Sequence, residues 1–203
     1  MLYNSTRNKS VRITASVAIK QGLSEEGGLF LPESIPTVSL EQIKELSGLS
    51  YRDRAKYILG LYLTDFSGEE LDDVVSVYNK GRFETETIAP VYKLNSRTFF
   101  LELWHGPTCA FKDMALQVLP RLLTKSAAKN NDGKEIVILT ATSGDTGKAA
   151  LEGFKDVKGT RIAVFYPVNG VSNIQKLQMV TQQGDNVGVC AVEGNFDDEQ
   201  TGV

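Results

Sequence analysis

Apolar positions in the first eighty residues recur at helical spacing. Ser39 and Gln42 form a capping box ahead of Leu40, Ile43 and Leu46, and the pattern stops at Gly48. Ala55, Ile58, Leu59 and Tyr62 share one helical face, and Leu71, Val74, Val75 and Tyr78 share another behind a second capping pair, Ser67 and Glu70. Gly81 is the expected end of that stripe. The segment to about Lys80 therefore reads as an opening stretch followed by packed helices, with no chemistry assigned to its aromatic residues.

The period changes after Pro90. Residues 91–94 and 98–103 are short β-prone runs, and 112–129 carries Ala115, Val118, Leu119, Leu122 and Leu123 as a helical stripe. Pro120 interrupts it, so a kink or a displaced helix boundary is expected. Then strands and helices alternate. Residues 135–140 form a buried strand, a glycine-rich turn leads to a helix ending near Asp156, and 161–166 form the next strand. A Ser172/Gln175 box opens a helix to Gln183, and 186–192 form a third strand.

This order predicts an α/β fold, a parallel sheet with flanking helices, preceded by a small, mainly helical N-terminal domain. The expected division is 1–88 and 89–203. So few parallel strands would leave an edge and at least one face poorly covered, and 194–200 have the acidic character of a new helix start. The expectation is a piece of a longer protein.

Composition narrows the function classes. With 41% hydrophobic residues the chain has the material for a core, and a net charge of −3 with mixed signs offers no broad basic surface for nucleic acid or anionic membrane. No run approaches the length of a membrane span and none resembles a signal peptide, so a cytoplasmic protein is expected. Cys109 and Cys190 have no metal-type or redox-type spacing, and buried free thiols are expected.

Two segments carry candidate chemistry. In Glu102–Ala115 a Gly106-Pro107 turn precedes Lys112 at the start of a helix, among small and apolar neighbours. Burial and the positive helix end would both lower a lysine pKa, favouring the neutral amine that Schiff-base chemistry requires, whereas Asp113 would oppose them if it faced the amine. The pattern alone also suits a solvated lysine. The second segment, Thr140–Lys148, joins strand to helix with two glycines, four hydroxyls and helix-start amides that could face an anion. A tight turn capped by Ser143 or Asp145 would suit it equally. A nucleotide P-loop is excluded, because only Asp145 and Thr146 separate Gly144 from Gly147-Lys148 and Ala149 stands where a hydroxyl is needed. A serine hydrolase is equally unsupported, with one histidine, His105, and no nucleophile elbow.

Taken together, three ordered motifs resemble the threonine synthase family of fold type II, tryptophan synthase β-like enzymes dependent on pyridoxal 5′-phosphate. They are Tyr3–Arg7 with Gly22–Pro32, then His105–Thr108 through Phe111–Asp113, then Thr142–Gly147. The resemblance implies that Lys112 holds the cofactor and shuttles protons at the substrate α and β carbons. It implies that Ser143, Gly144, Asp145, Thr146 and Gly147 contact cofactor or substrate carboxylate, with Phe111 and His105 packed nearby. Thr142, Ser143, Thr146, Ser172 and Lys176 become candidates for binding the substrate, O-phospho-L-homoserine, which is converted with water to L-threonine and phosphate. No metal is implied. A related amino-acid dehydratase or a non-catalytic binding homologue are the alternatives. The family's cofactor-phosphate loop and the partner of the pyridine nitrogen lie in a C-terminal half absent from this sequence, so the 203 residues alone are expected to bind cofactor poorly and not to turn over.

Overall fold

A computed structural model describes residues 1–131 and 133–203. By internal contacts the chain forms two compact units, Met1–Asn79 with Arg121–Gly133, and Lys80–Pro120 with Lys134–Val203.

In the first unit, strand β1 (Tyr3–Ser5) pairs antiparallel with β2 (Phe30–Pro32) around helix α1 (Ala15–Gln21), three short elements that hydrophobic period did not reveal. Helices α2 (Leu40–Ser47), α3 (Tyr51–Tyr62) and α4 (Gly68–Val75) follow. Both expected capping boxes are present, each serine accepting from the backbone N–H three residues on. α4 stops at Val75 rather than Gly81: the Ser76 hydroxyl donates to the Asp73 carbonyl of the last turn, and the Asn79 amide donates to the Ser76 and Val77 carbonyls just beyond it. Ala15, Leu63, Phe66 and Leu71 form the buried core. On α6 (Leu119–Lys129), Arg121, Lys125 and Lys129 recur every fourth residue and pair with Asp73 and Glu70 of α4. Such partly exposed pairs each contribute about 0–1 kcal/mol.

The second unit opens with an antiparallel hairpin, β3 (Val91–Lys93) and β4 (Phe99–Leu101), turned by the Asn95 side chain accepting from the amides of Arg97 and Thr98. Val91, Tyr92, Phe99, Phe100 and Leu101 are all exposed. Beside it His105 is held between two carboxylates, with Nε2 2.7 Å from Glu102 and Nδ1 3.3 Å from Glu84, leaving its side chain 13% exposed. The expected helix over 112–129 is two helices, α5 (Asp113–Leu116) and α6. Pro120 has no N–H to give the Leu116 carbonyl, and that carbonyl abuts Gly153, where an added Cβ would lie 2.1 Å from the oxygen.

Strands β5 (Ile136–Ala141), β6 (Thr160–Pro167) and β7 (Val187–Val192) form the parallel sheet in the order β5-β6-β7. Helices α7 (Asp145–Phe154) and α8 (Asn173–Val180) are the crossovers, and α9 (Phe196–Gly202) follows the last strand. Ile162, Val164 and Tyr166 of β6 are buried, as are Ala149, Ala150, Leu151 and Phe154 of α7, which packs on β6. The opposite face is covered only in part, by α9: Val137 is 58% exposed, as expected of a sheet this narrow. Contrary to expectation, both cysteines are exposed. Cys190 pairs in register with Phe165 near that open face, and Cys109 sits in a loop at φ 57°.

Gly153→Ala should destabilise the fold by about 1–3 kcal/mol, because a backbone carbonyl rather than a mobile side chain blocks the methyl group; urea unfolding measures this. Hydrogen bonding of the imidazole to the Glu102 carboxylate, and then to that of Glu84, raises the His105 pKa above its ordinary 6.5. This stabilisation is fully present below the ordinary value and is lost as pH rises through the raised one. An NMR titration should therefore find the His105 midpoint above 6.5, and Glu102→Gln should bring it down.

Candidate active site

The turn after β5 is organised by one hydroxyl. Thr142, 1% exposed, accepts hydrogen bonds at Oγ1 from the amides of Gly144 (3.0 Å) and Gly147 (2.9 Å). It thereby caps α7 from two residues before the N-cap position, where Gly144 itself makes no side-chain cap bond. Neither Ser143 nor Asp145 is the cap, and Ser143 and Asp145 are exposed while Thr146 is half-buried at the rim.

The glycines serve close packing within the protein. Gly144 has φ 138°, and a Cβ there would lie 2.4 Å from the Gln175 amide carbon. At Gly147 a Cβ would meet Thr142 at 2.5 Å and Val164 at 2.7 Å. Gln175 also donates to Asp145 at 2.8 Å, which fastens the start of α8 beside the turn. Ser172 is the N-cap of α8 and is engaged with Gln175, and Lys176 is exposed one residue further along. The structure therefore gathers Thr142, Ser143, Gly144, Asp145, Thr146, Gly147 and Ser172 at one end of the sheet, the carboxyl ends of β5 and β6, where α/β folds bind ligands.

Lys112 is the N-cap residue of α5 and is half-buried, with Nζ 4.3 Å from the centre of the Phe111 ring, which is itself 59% exposed. Asp113 does not engage the amine: both its oxygens accept from Thr108. α5 packs along α7, with Leu116 against Gly153 and Asp113 within electrostatic reach of Lys148 and Glu152. Moving back from Leu116 to Lys112, the chain thus heads toward the end of α7 that carries the Ser143–Gly147 turn. His105, committed to two carboxylates, reads as a structural imidazole.

A half-buried charged group that sequence reasoning did not single out lies on α7 just after this turn. Lys148 donates to Gln182 and lies 4.0 Å from Glu152, which in turn accepts from Gln182 at 2.9 Å. Burial lowers the Lys148 pKa, against the opposing pull of Glu152 and Asp113. The i, i+4 spacing of Lys148 and Glu152 was readable in the sequence; Gln182 and Asp113 reach them only through the fold.

Comparison with known proteins adds the family. Residues 2–77 match the family model described as threonine synthase N terminus. A threonine synthase of Pseudomonas aeruginosa is 40% identical over 200 residues, covering 98% of this chain and 42% of that protein. The human threonine synthase-like 1 is 36% identical over 196 residues, covering 93% of this chain and 26% of that protein. The crystal structure of a PLP-bound threonine synthase from Brucella melitensis superposes with a TM-score of 0.90 at 37% identity, covering 99% of this chain and 43% of that one. The yeast threonine synthase gives a TM-score of 0.89 at 34% identity, with 98% and 42% covered. The chain thus spans less than half the length of these relatives. Sequence likeness along nearly all its residues, and a backbone that follows solved members throughout, match the chain to the N-terminal part of threonine synthases.

Proposed function

We propose that this chain is the N-terminal part of a cytoplasmic threonine synthase, a lyase that uses pyridoxal 5′-phosphate to convert O-phospho-L-homoserine and water to L-threonine and phosphate. The observation that supports this reading is the packing of α5 on α7, with Leu116 against Gly153, which puts Lys112 at the start of a helix beside the one that begins at the hydroxyl-rimmed turn. The division of the longer protein into a helical domain to residue 88 and an α/β domain beyond it remains part of this proposal.

The donor set suits the cofactor in part. An aldehyde needs an amine, which Lys112 supplies; carboxylate or phenolate oxygens need neutral donors, which Ser143 and Thr146 supply. When bound, the cofactor provides an electron sink for the pair released at the substrate α carbon. The Lys112 amine would take and return protons at the substrate α and β carbons. The hydroxyls of Ser143 and Thr146 orient the substrate carboxylate, and Gln175 holds Asp145 and the start of α8 against the turn. Phe111 shields one side of the amine.

Joined to the remaining part of the Pseudomonas relative, the chain should release phosphate from O-phospho-L-homoserine and form threonine, with no oxo-acid from serine or threonine. Lys112→Ala in that chimaera should lower kcat by about 10²–10⁴-fold, the range for a positioned acid–base group. The 203-residue chain alone should show no turnover. Oxo-acid release from threonine as the main reaction would point to a dehydratase, and an active Lys112→Ala chimaera would remove the assigned amine.

A further inference from the structure

One buried ionisable side chain next to Lys112 has no part in that chemistry. Asp113 is 0% exposed, accepting at Oδ2 from the Thr108 amide (2.8 Å) and at Oδ1 from the Thr108 hydroxyl (2.7 Å). Burial raises its pKa and the Thr108 bonds work against that rise. Its side chain fills the space beside Gly106, where an added Cβ would lie 2.5 Å from Oδ2 and 2.6 Å from the Asp113 Cβ. The glycine and the aspartate are therefore two halves of one contact, which explains why a Gly-Pro-Thr turn and a Lys-Asp pair occur at this spacing.

The contact closes a loop across its base. Within it, Cys109 takes φ 57°, a conformation uncommon for a side-chain-bearing residue, and the Asp113 amide donates to the Ala110 carbonyl at 3.0 Å. Lys112 is the last residue before the closure, with φ −63° and ψ −22°, and its carbonyl accepts from the amides of Ala115 and Leu116. Its backbone is thus fixed from both sides. The same carboxyl lies within electrostatic reach of Lys148 and Glu152 on α7, the helix that starts at the Ser143–Gly147 turn.

We propose that Asp113 is a positioning residue: by tying Thr108 across the loop, it fixes the direction in which the Lys112 side chain leaves the backbone, toward the turn at the head of α7. The proposal rests on the reading that Lys112 holds pyridoxal 5′-phosphate. Misdirecting a reacting amine by about 1 Å can cost on the order of a hundredfold in reactivity. The tie uses hydrogen bonds, so a neutral amide of the same shape preserves it: the Asn oxygen accepts from the Thr108 amide and its NH₂ donates to the Thr108 hydroxyl oxygen.

The test exposes the chimaera with the remaining part of the Pseudomonas relative to pyridoxal 5′-phosphate, reduces the adducts with borohydride, and measures by peptide mass spectrometry the ratio of label at Lys112 to label at Lys158. Lys158 is an exposed loop lysine of the same compact unit, so unfolding drives the ratio toward one and is recognised as such by circular dichroism. The wild-type ratio should favour Lys112. Asp113→Ala and Gly106→Ala should lower the ratio about tenfold, and Asp113→Asn should keep it within about threefold of wild type. Should Asp113→Ala not fold, Thr108→Val, which keeps the amide bond and removes the hydroxyl bond, should give a folded chain with an intermediate ratio. A wild-type chain with no preference for Lys112 would remove the cofactor reading and this inference with it. A wild-type preference that persists in Asp113→Ala, or in Thr108→Val where that variant is the one that folds, would overturn the positioning role alone. Equal loss in Asp113→Asn and Asp113→Ala would assign the effect to charge and overturn the hydrogen-bonded tie.

Discussion

The candidate site depends on how closely two helices approach. The Leu116 carbonyl occupies the place where any side chain at residue 153 would begin, so α5 and α7 can pack only because that residue is glycine. Pro120 ends α5 at the required point by withholding the amide that would have continued the helix through Leu116. Together, one glycine and one proline set the height of α5 along α7, and with it the place of Lys112 at the start of α5.

At that end, the polar groups divide into those that build and those that remain available. Thr142 and Asp113 are buried, and their oxygens are taken up by backbone amides and a neighbouring hydroxyl. A polar group removed from water without a partner costs about 1–3 kcal/mol, so these partnerships make the geometry self-enforcing. Ser143 and Thr146, lying at the rim of the turn, are the groups that a ligand can reach. Lys148, Glu152 and Gln182 form a further polar cluster beneath the turn, joining α7 to the segment after α8.

The β3–β4 hairpin and one face of the parallel sheet carry exposed valine, leucine, tyrosine and phenylalanine side chains. Among the described residues, no helix is long and apolar enough to cross a membrane.

The sequence by itself determined the elements whose signals are local. Capping boxes at Ser39, Ser67 and Ser172 marked three helix starts, because a serine and a glutamine or glutamate three residues apart close a ring with their own backbone. Alternating strands and helices determined the parallel sheet, and motif order pointed to the family. Residues far apart in sequence told less. That Thr142 rather than Ser143 caps α7, that Gly153 admits a carbonyl, that Asp113 faces Thr108 instead of the amine, and that the two cysteines are exposed were decided by tertiary structure. Each depends on which atoms arrive in the same space from separate segments, and a one-dimensional pattern records spacing along the chain but not that arrival. The short strands β1 and β2 escaped for a related reason: three residues are too few to establish a period, and they exist only because they pair with each other.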